Sequence, residues 1–511
     1  MHAATFTTTS HALQAGEIEH SSPTLADIDG DGIEEIVIGT KTRAPSGKEY
    51  GGKLIVMQGN GTLLWSYDLN APVNGTPAVG DIDHDGDPEI IVSLGGDVSD
   101  LNHQGGIMAL DHKGNPLWTF RTVDDQAPTG YSDPVFSSPT LCDVDGDYDL
   151  EIAFGGWDRN IYLLDHEGKS LWNDMPGQHT GQGFHNGDTI WSTAACADLN
   201  KDGYNEIIIG ADITGGGILP DGYQTQNGGF LYVFDRNGTI LVRRYLPETV
   251  FSSPAVADLD GDGNSEIVVG TGYYWWDVTG RTMDSYVYAF DTSLVFGDKD
   301  YSDPTKLPYL AGWPQKTTYP GFSSPALADL DGDGDLEIVI GSGDPYQLKG
   351  KVHAWHHTGA SVNGWPVTPQ NWQGNNVHII SSPTIADIDN DGGLEILFSM
   401  LWDIQVYNAD GTYQEALPTL YTVVASPAIG DTDGDNKVDI WIGSANDHEK
   451  DHGYLWNFES DTTGIGEKPW PMFHRDEKNT GSLSLATGQP HTPGTNSGEK
   501  IPGIDFLLLK K

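Results

Sequence analysis

The chain has 511 residues and a formal net charge of −48, from 26 basic against 74 acidic side chains. Such a balance excludes nucleic acid and anionic membrane surfaces as partners, and no run is long and apolar enough for a transmembrane segment. Sixty-five glycines and 29 prolines without low complexity fit a turn-rich all-β chain, and two cysteines are too few for a disulfide scaffold.

Residues 1–19 lack the apolar centre of a signal peptide. Within them, residues 5–9 (TFTTT) are β-prone and read as an added strand that would cover an exposed sheet edge. From residue 20 one phrase recurs eight times: a short apolar strand opening on Ser-Ser-Pro or a variant, a nine-residue acidic loop, and a second apolar strand. The loops begin at Asp27, Asp81, Asp143, Asp198, Asp258, Asp329, Asp387 and Asp431, spaced by 54, 62, 55, 60, 71, 58 and 44 residues.

Seven loops place carboxylates at positions 1, 3, 5 and 9, the fourth has Asn200 at position 3, and all offer a backbone carbonyl at position 7. The first offers Asp27, Asp29, Asp31 and Glu35 with Ile33; the second Asp81, Asp83, Asp85 and Glu89 with Asp87. The third has Asp143, Asp145, Asp147 and Glu151 with Asp149; the fourth Asp198, Asn200, Asp202 and Glu206 with Tyr204. The fifth has Asp258, Asp260, Asp262 and Glu266 with Asn264; the sixth Asp329, Asp331, Asp333 and Glu337 with Asp335. The seventh has Asp387, Asp389, Asp391 and Glu395 with Gly393; the eighth Asp431, Asp433, Asp435 and Asp439 with Lys437.

Hard oxygen donors of flexible denticity are what Ca²⁺ selects, whereas a transition metal would bring His or Cys into the set, and neither occupies a ligand position of these loops. About eight Ca²⁺ ions are therefore expected. An EF-hand is excluded, because its acidic twelfth position is apolar here (Ile38, Ile340) and strand-like runs flank the loop. Glycine at position 6, where the backbone turns sharply, is replaced by Tyr148 and Asn436. With Tyr148 in the third loop and the charge lost at Asn200 in the fourth, these two are expected to bind most weakly.

After each loop come two further strand-like runs joined by a tight turn, as in KLIVMQGNGTLLWSYDL and FLYVFDRNGTILVRRY. Four antiparallel strands in each of eight copies predict an eight-bladed β-propeller over residues 20–482, with the acidic loop between the first and second strand of each blade; a linear solenoid is the competing architecture. Trp-Pro at 313–314, 365–366 and 470–471 marks fourth strands, which makes KPWPMFHRD (468–476) the outer strand of the last copy. Residues 483–511 read as a flexible tail. Cys142 and Cys196 have opposite strand parity and face one another across consecutive copies; they read as two small buried thiols.

The eight registered loops and their Ser-Ser-Pro leaders resemble the FG-GAP repeat family, the calcium-loop blades of integrin α-subunit propellers and many secreted prokaryotic proteins. The resemblance spans roughly residues 20–480 and implies calcium ligation by positions 1, 3, 5 and 9. Ser192-Thr193-Ala194 departs from the leader, so the fourth first-strand is expected to be the least typical. Sets this rich in carboxylate suit millimolar calcium, which places the protein outside the cell or on its surface.

Loops between first and second strands share one face of the disc, leaving the other to the irregular insertions. That second face carries Tyr273, Tyr274, Trp275, Trp276, Trp157 and Trp402 as candidate ligand-binding residues. Exposed aromatics rimmed by polar groups grip sugars and protein partners. The leading reading is a calcium-stabilised adhesion or recognition module for carbohydrate or protein. The alternatives are a polysaccharide lyase similar to rhamnogalacturonan lyases, or a structural subunit of a surface layer or filament. No acid–base constellation stands out in the sequence.

Overall fold

An apolar run of three or four residues bounded by Ser-Ser-Pro and an acidic turn is too short for a helix and folds as strand. The structure, a computed structural model, describes residues 5–13, 16–43, 49–95, 104–125, 130–172, 182–219, 222–272, 285–293, 307–319, 321–344, 349–369, 379–445 and 452–483. Among these, the first strands are Thr24–Ala26, Ala78–Gly80, Thr140–Cys142, Ala195–Ala197, Ala255–Ala257, Ala326–Ala328, Thr384–Ala386 and Ala428–Gly430, buried at every residue. Each pairs antiparallel, across its acidic loop, with the second strand of its own repeat. The second strands show no polar alternation because neighbouring sheets pack on both their faces: Glu35–Gly39, Glu151–Gly155 and Glu266–Gly270 are buried throughout.

Third and fourth strands follow across tight turns, as Lys53–Met57 with Leu63–Asp68 and Gly228–Phe234 with Ile240–Leu246. Five repeats form four-stranded antiparallel sheets in simple first-to-fourth order. The sixth has three strands and a Val352–Val367 bridge, and the last two are joined through Thr422–Ala445. Each first strand touches the next and Ala428–Gly430 touches Thr24–Ala26, so the first strands close a ring.

The Ser-Ser-Pro motif explains how the ring is stapled. Its second residue accepts a hydrogen bond from the backbone N–H of its counterpart in the preceding repeat: Ser22 to Thr76 (3.2 Å), Thr76 to Ser138 (2.9 Å), Ser138 to Thr193 (3.1 Å) and Thr193 to Ser253 (3.0 Å). The circuit continues from Ser253 to Ser324 (2.9 Å), Ser324 to Ser382 (2.9 Å), Ser382 to Ser426 (3.0 Å) and Ser426 back to Ser22 (3.0 Å). The first serine works within its own sheet: Ser21, Ser192, Ser252, Ser323 and Ser381 accept from Gly39, Gly210, Gly270, Gly341 and Ser399 at 2.9–3.2 Å. Ser192 and Thr193 make both bonds, so the fourth first-strand is built like the others despite Ala194. At the rim, tryptophans on fourth strands reach the next repeat's turn, Trp65 Nε1 donating to His112 O at 3.0 Å and Trp365 Nε1 to Ala409 O at 2.8 Å.

The two ends of the chain meet the ring differently. Phe6–Leu13 pairs antiparallel with Gly453–Thr463 and takes the outermost place in the last sheet. Residues 468–476 therefore do not form that outer strand; the chain turns into the ring's centre instead. The carbonyls of Trp470, Pro471, Glu477, Lys478, Thr480 and Gly481 accept the N–H groups of Ile385, Ile429, Val79, Leu141, Cys196 and Val256 at 2.8–2.9 Å. A first strand has no sheet neighbour on its channel side, and buried N–H groups require acceptors. Six of those strands find theirs in this plug. Trp470 is wholly buried within it.

Cys142 and Cys196 are not two separate thiols. They form a disulfide across the first strands of the third and fourth repeats, with Cα atoms 6.5 Å apart. The opposite parity of the two positions brings them face to face.

Candidate functional site

All eight acidic loops close on the same two bonds. The N–H at position 6 donates to the position-1 carboxylate at 2.9–3.2 Å. The N–H at position 2 donates to the position-9 carboxylate at 2.7–3.1 Å. Tyr148 (φ 78°) and Asn436 (φ 63°) adopt the left-handed backbone of Gly32 (φ 88°), so the loop keeps its shape without glycine, and Tyr148 carries the strain.

The position-9 acid is buried in every set, from Glu337 at 0 % exposed to Glu89 at 5 %, and in the seventh loop Asp387 and Asp389 are buried with it. Burial pushes Glu35, Glu89 and Glu337 up to about 7, and nearby loop aspartates add to the shift. Glu151, Glu206, Glu266 and Glu395 rise to about 8 for the same reasons, and burial raises Asp439 as well. Ligand oxygens of Asp81, Asp83 and Glu89, and of Asp143, Asp145 and Glu151, lie within 4.8 Å of one another. Carboxylates crowded this closely favour a divalent cation that neutralises them.

In two loops side-chain groups already engage part of the carboxylate set. Asn200 Nδ2 donates to Glu206 Oε1 at 2.6 Å. In the eighth loop the Lys437 ammonium contacts Asp435 and bonds Glu459 at 2.8 Å, while Asn457 Nδ2 donates to Asp439 Oδ1 at 2.9 Å.

At the opposite end of the first strands the channel opens into a cavity of about 300 Å³, with Phe473 of the plug among its walls. All eight hydroxyl-bearing residues of the staple ring line it. The residue before each Ser-Ser-Pro forms the rim, and four consecutive rim residues are aromatic: Phe136, Trp191, Phe251 and Phe322. Ring centroids lie 5.0 Å apart for Phe136–Trp191, 5.2 Å for Trp191–Phe251 and 5.1 Å for Phe251–Phe322. Trp157 backs this arc, 4.6 Å from Phe136 and 4.8 Å from Trp191. None of the described residues lining the cavity is Asp, Glu, Lys or Arg.

Of the candidate ligand residues, Trp157 packs behind the arc, only 5 % exposed, and does not itself line the cavity. Trp402 lies half-buried on the strand Glu395–Asn408 and does not line the cavity. Tyr273, Tyr274, Trp275 and Trp276 lie outside the described residues. The sequence reading passed over Phe136, Trp191, Phe251 and Phe322. Their signal is the motif itself, since the position before Ser-Ser-Pro is Phe, Trp, Phe and Phe in four successive repeats.

Residues 45–178 match the lambda-carrageenase β-propeller domain, and residues 329–398 match the FG-GAP-like repeat. Among curated proteins, the lambda-carrageenase of Pseudoalteromonas carrageenovora is 23% identical over 235 residues, 43% of this chain and 21% of that enzyme. The match thus spans about a fifth of the relative's length. Among solved structures, the Vibrio cholerae biofilm matrix protein Bap1 superposes with a TM-score of 0.54 at 15% identity, covering 90% of each chain. The Dos1 propeller does so at 0.49 and 11% identity, covering 89% of this chain and 96% of that one. The chain has a β-propeller fold and carries an FG-GAP-like repeat at residues 329–398.

Proposed function

We propose that this is an eight-bladed, calcium-loaded propeller, secreted or displayed at the cell surface, that binds carbohydrate in the mouth of its central channel. The carrying observation is the cavity itself: an arc of four aromatic rims above a circle of hydroxyls. Sugar rings stack their C–H faces on aromatics and hydrogen-bond at their edges, so this combination fits a polyol better than an apolar peptide. The absence of Lys and Arg among the described cavity walls favours a neutral glycan over a polyanion, and the absence of acidic pairs there favours binding over turnover. Similarity to a propeller domain borne by a carrageenase supports a saccharide ligand.

Calcium supplies neutralisation of the loops. Positions 1, 3, 5 and 9 with the position-7 carbonyl would hold each ion, and the position-9 acid, fixed by the position-2 N–H, would tie the ion to the second strand. The weakest loops are the fourth and the eighth, where Asn200 and Lys437 already occupy part of the set, together with the strained third. The Cys142–Cys196 bond and the demand for millimolar calcium both support an extracellular setting.

Titration of chelator-stripped protein by calorimetry should show uptake of up to eight ions and a raised melting temperature. Retention on neutral polysaccharides in affinity electrophoresis should fall at least ~10-fold for Trp191→Ala and Phe322→Ala, the loss of about 1.4 kcal/mol of stacking. Variants that fold and still bind as tightly as the parent would refute the site.

A further inference from the structure

The turn after the third strand has one form in several repeats. The N–H of its first residue donates to the carbonyl four residues on, in turns beginning at Asp111, Asp165, Asp235 and His356. In the first three the aspartate also closes the turn with its side chain. Asp111 Oδ1 accepts from Lys113 and Asn115 at 3.0 and 2.7 Å, Asp165 Oδ1 from Glu167 and Lys169 at 3.0 and 2.8 Å, and Asp235 Oδ1 from Asn237 and Thr239 at 2.9 and 2.7 Å. An imidazole at this place has been turned outward instead. His356 Nδ1 stands 2.8 Å from Glu337 Oε1, the position-9 acid of the sixth loop.

The result is a donor set unlike an all-oxygen loop. One atom each from Asp331, Glu337 and His356 lie within 4.8 Å of one another. Glu337 is 0 % exposed, and its other oxygen is held by the Leu330 N–H at 2.7 Å, so Oε1 is the atom left to face the cluster. Three other histidines near loops meet a different position. His357, His166 and His112 lie 2.6, 3.0 and 3.8 Å from Asp335, Asp149 and Asp87, all at position 7, which is expected to offer its backbone carbonyl and not its side chain.

Calcium takes oxygen donors and gains little from an imidazole, whereas zinc accepts both imidazole nitrogen and carboxylate oxygen, and three protein ligands is the number its open sites use. We infer that the sixth loop binds a zinc-type divalent cation through Asp331, Glu337 and His356 in preference to calcium. The inference rests on the reading of these loops as cation sites. In this respect the sixth repeat differs from the calcium-loaded frame around it.

The test is zinc chloride titrated calorimetrically into full-length protein in saturating calcium, for the parent, His356→Asp and His357→Ala. His356→Asp restores the turn-closing residue of the second and third repeats, so it keeps the fold. The parent and His357→Ala should each bind one zinc with high affinity, and His356→Asp should bind it at least ~100-fold more weakly. Absence of zinc uptake by the parent, or equal uptake by His356→Asp, would overturn the proposal while calcium uptake left the remaining loops as assigned. No calcium uptake by any of the three would refute the calcium reading instead, and the zinc comparison would still decide this one.

Discussion

Replacing both Cys142 and Cys196 with serine removes the covalent tie between the third and fourth first-strands. The bridge spans 54 residues of chain. Closing a loop of that length removes roughly 14 cal/mol/K from the unfolded ensemble, about 4 kcal/mol at 25 °C. For a ring of this size the unfolding entropy is on the order of 1 kcal/mol/K, so the same loss lowers the melting temperature by about 4 °C if the ring melts as one unit. Calorimetric scans of parent and double variant in saturating calcium measure it, and a reductant should shift the parent to the variant's value. Thiol titration of the denatured, unreduced parent should find no free thiol. Two free thiols, or identical melting of parent and variant, would refute both the bond and the oxidising compartment it supports.

Three further outcomes are expected. In calcium-free protein the position-9 glutamates have folded-state pKa values raised from 4.5 to about 7 or 8, so the folded state holds more protons than the unfolded one across that window. Stability should therefore be greatest near the lower end and fall as pH rises through 7 to 8, with calcium abolishing the slope; guanidinium melts at pH 5 and pH 8 check the sign. Ser253→Ala strands the buried Thr193 N–H and should cost about 1–3 kcal/mol, whereas Ser253→Thr, which keeps the hydroxyl as Thr76 and Thr193 do, should cost less. Trp470→Ala empties the wholly buried centre of the plug and should cost about 3–5 kcal/mol, with hydrogen exchange of Ile385 and Ile429 speeding up as their acceptors loosen.

The acidic loops could be read from sequence because their carboxylates fall within nine residues of one another. Asp27 and Glu35 belong to one turn, and eight repetitions in register make the pattern unambiguous. Burial of the second strands was equally legible, as uninterrupted apolar runs such as EIVIG. The role of the Ser-Ser-Pro leader was not, because the hydroxyl of its second residue serves an N–H in a different repeat, 44–71 residues away or, at Ser426–Ser22, 404 residues away. The last strand was misplaced because KPWPMFHRD carries the Trp-Pro mark of a fourth strand. The N-terminal Phe6–Leu13 occupies that edge first, and the six unpartnered N–H groups in the channel offer the segment another place.

The sequence by itself thus determined the repeat, its strand order and the hard-oxygen loops, since these follow from local periodicity and from donor types fixed within nine residues. Tertiary structure alone decided what the ring brings together. It made one disulfide of two cysteines, an aromatic arc of four separate leaders, a plug of an expected edge strand, and a mixed cluster of His356 with a loop 19 residues upstream. Contacts across repeats depend on closure of the ring, and closure leaves no periodic trace in any one repeat.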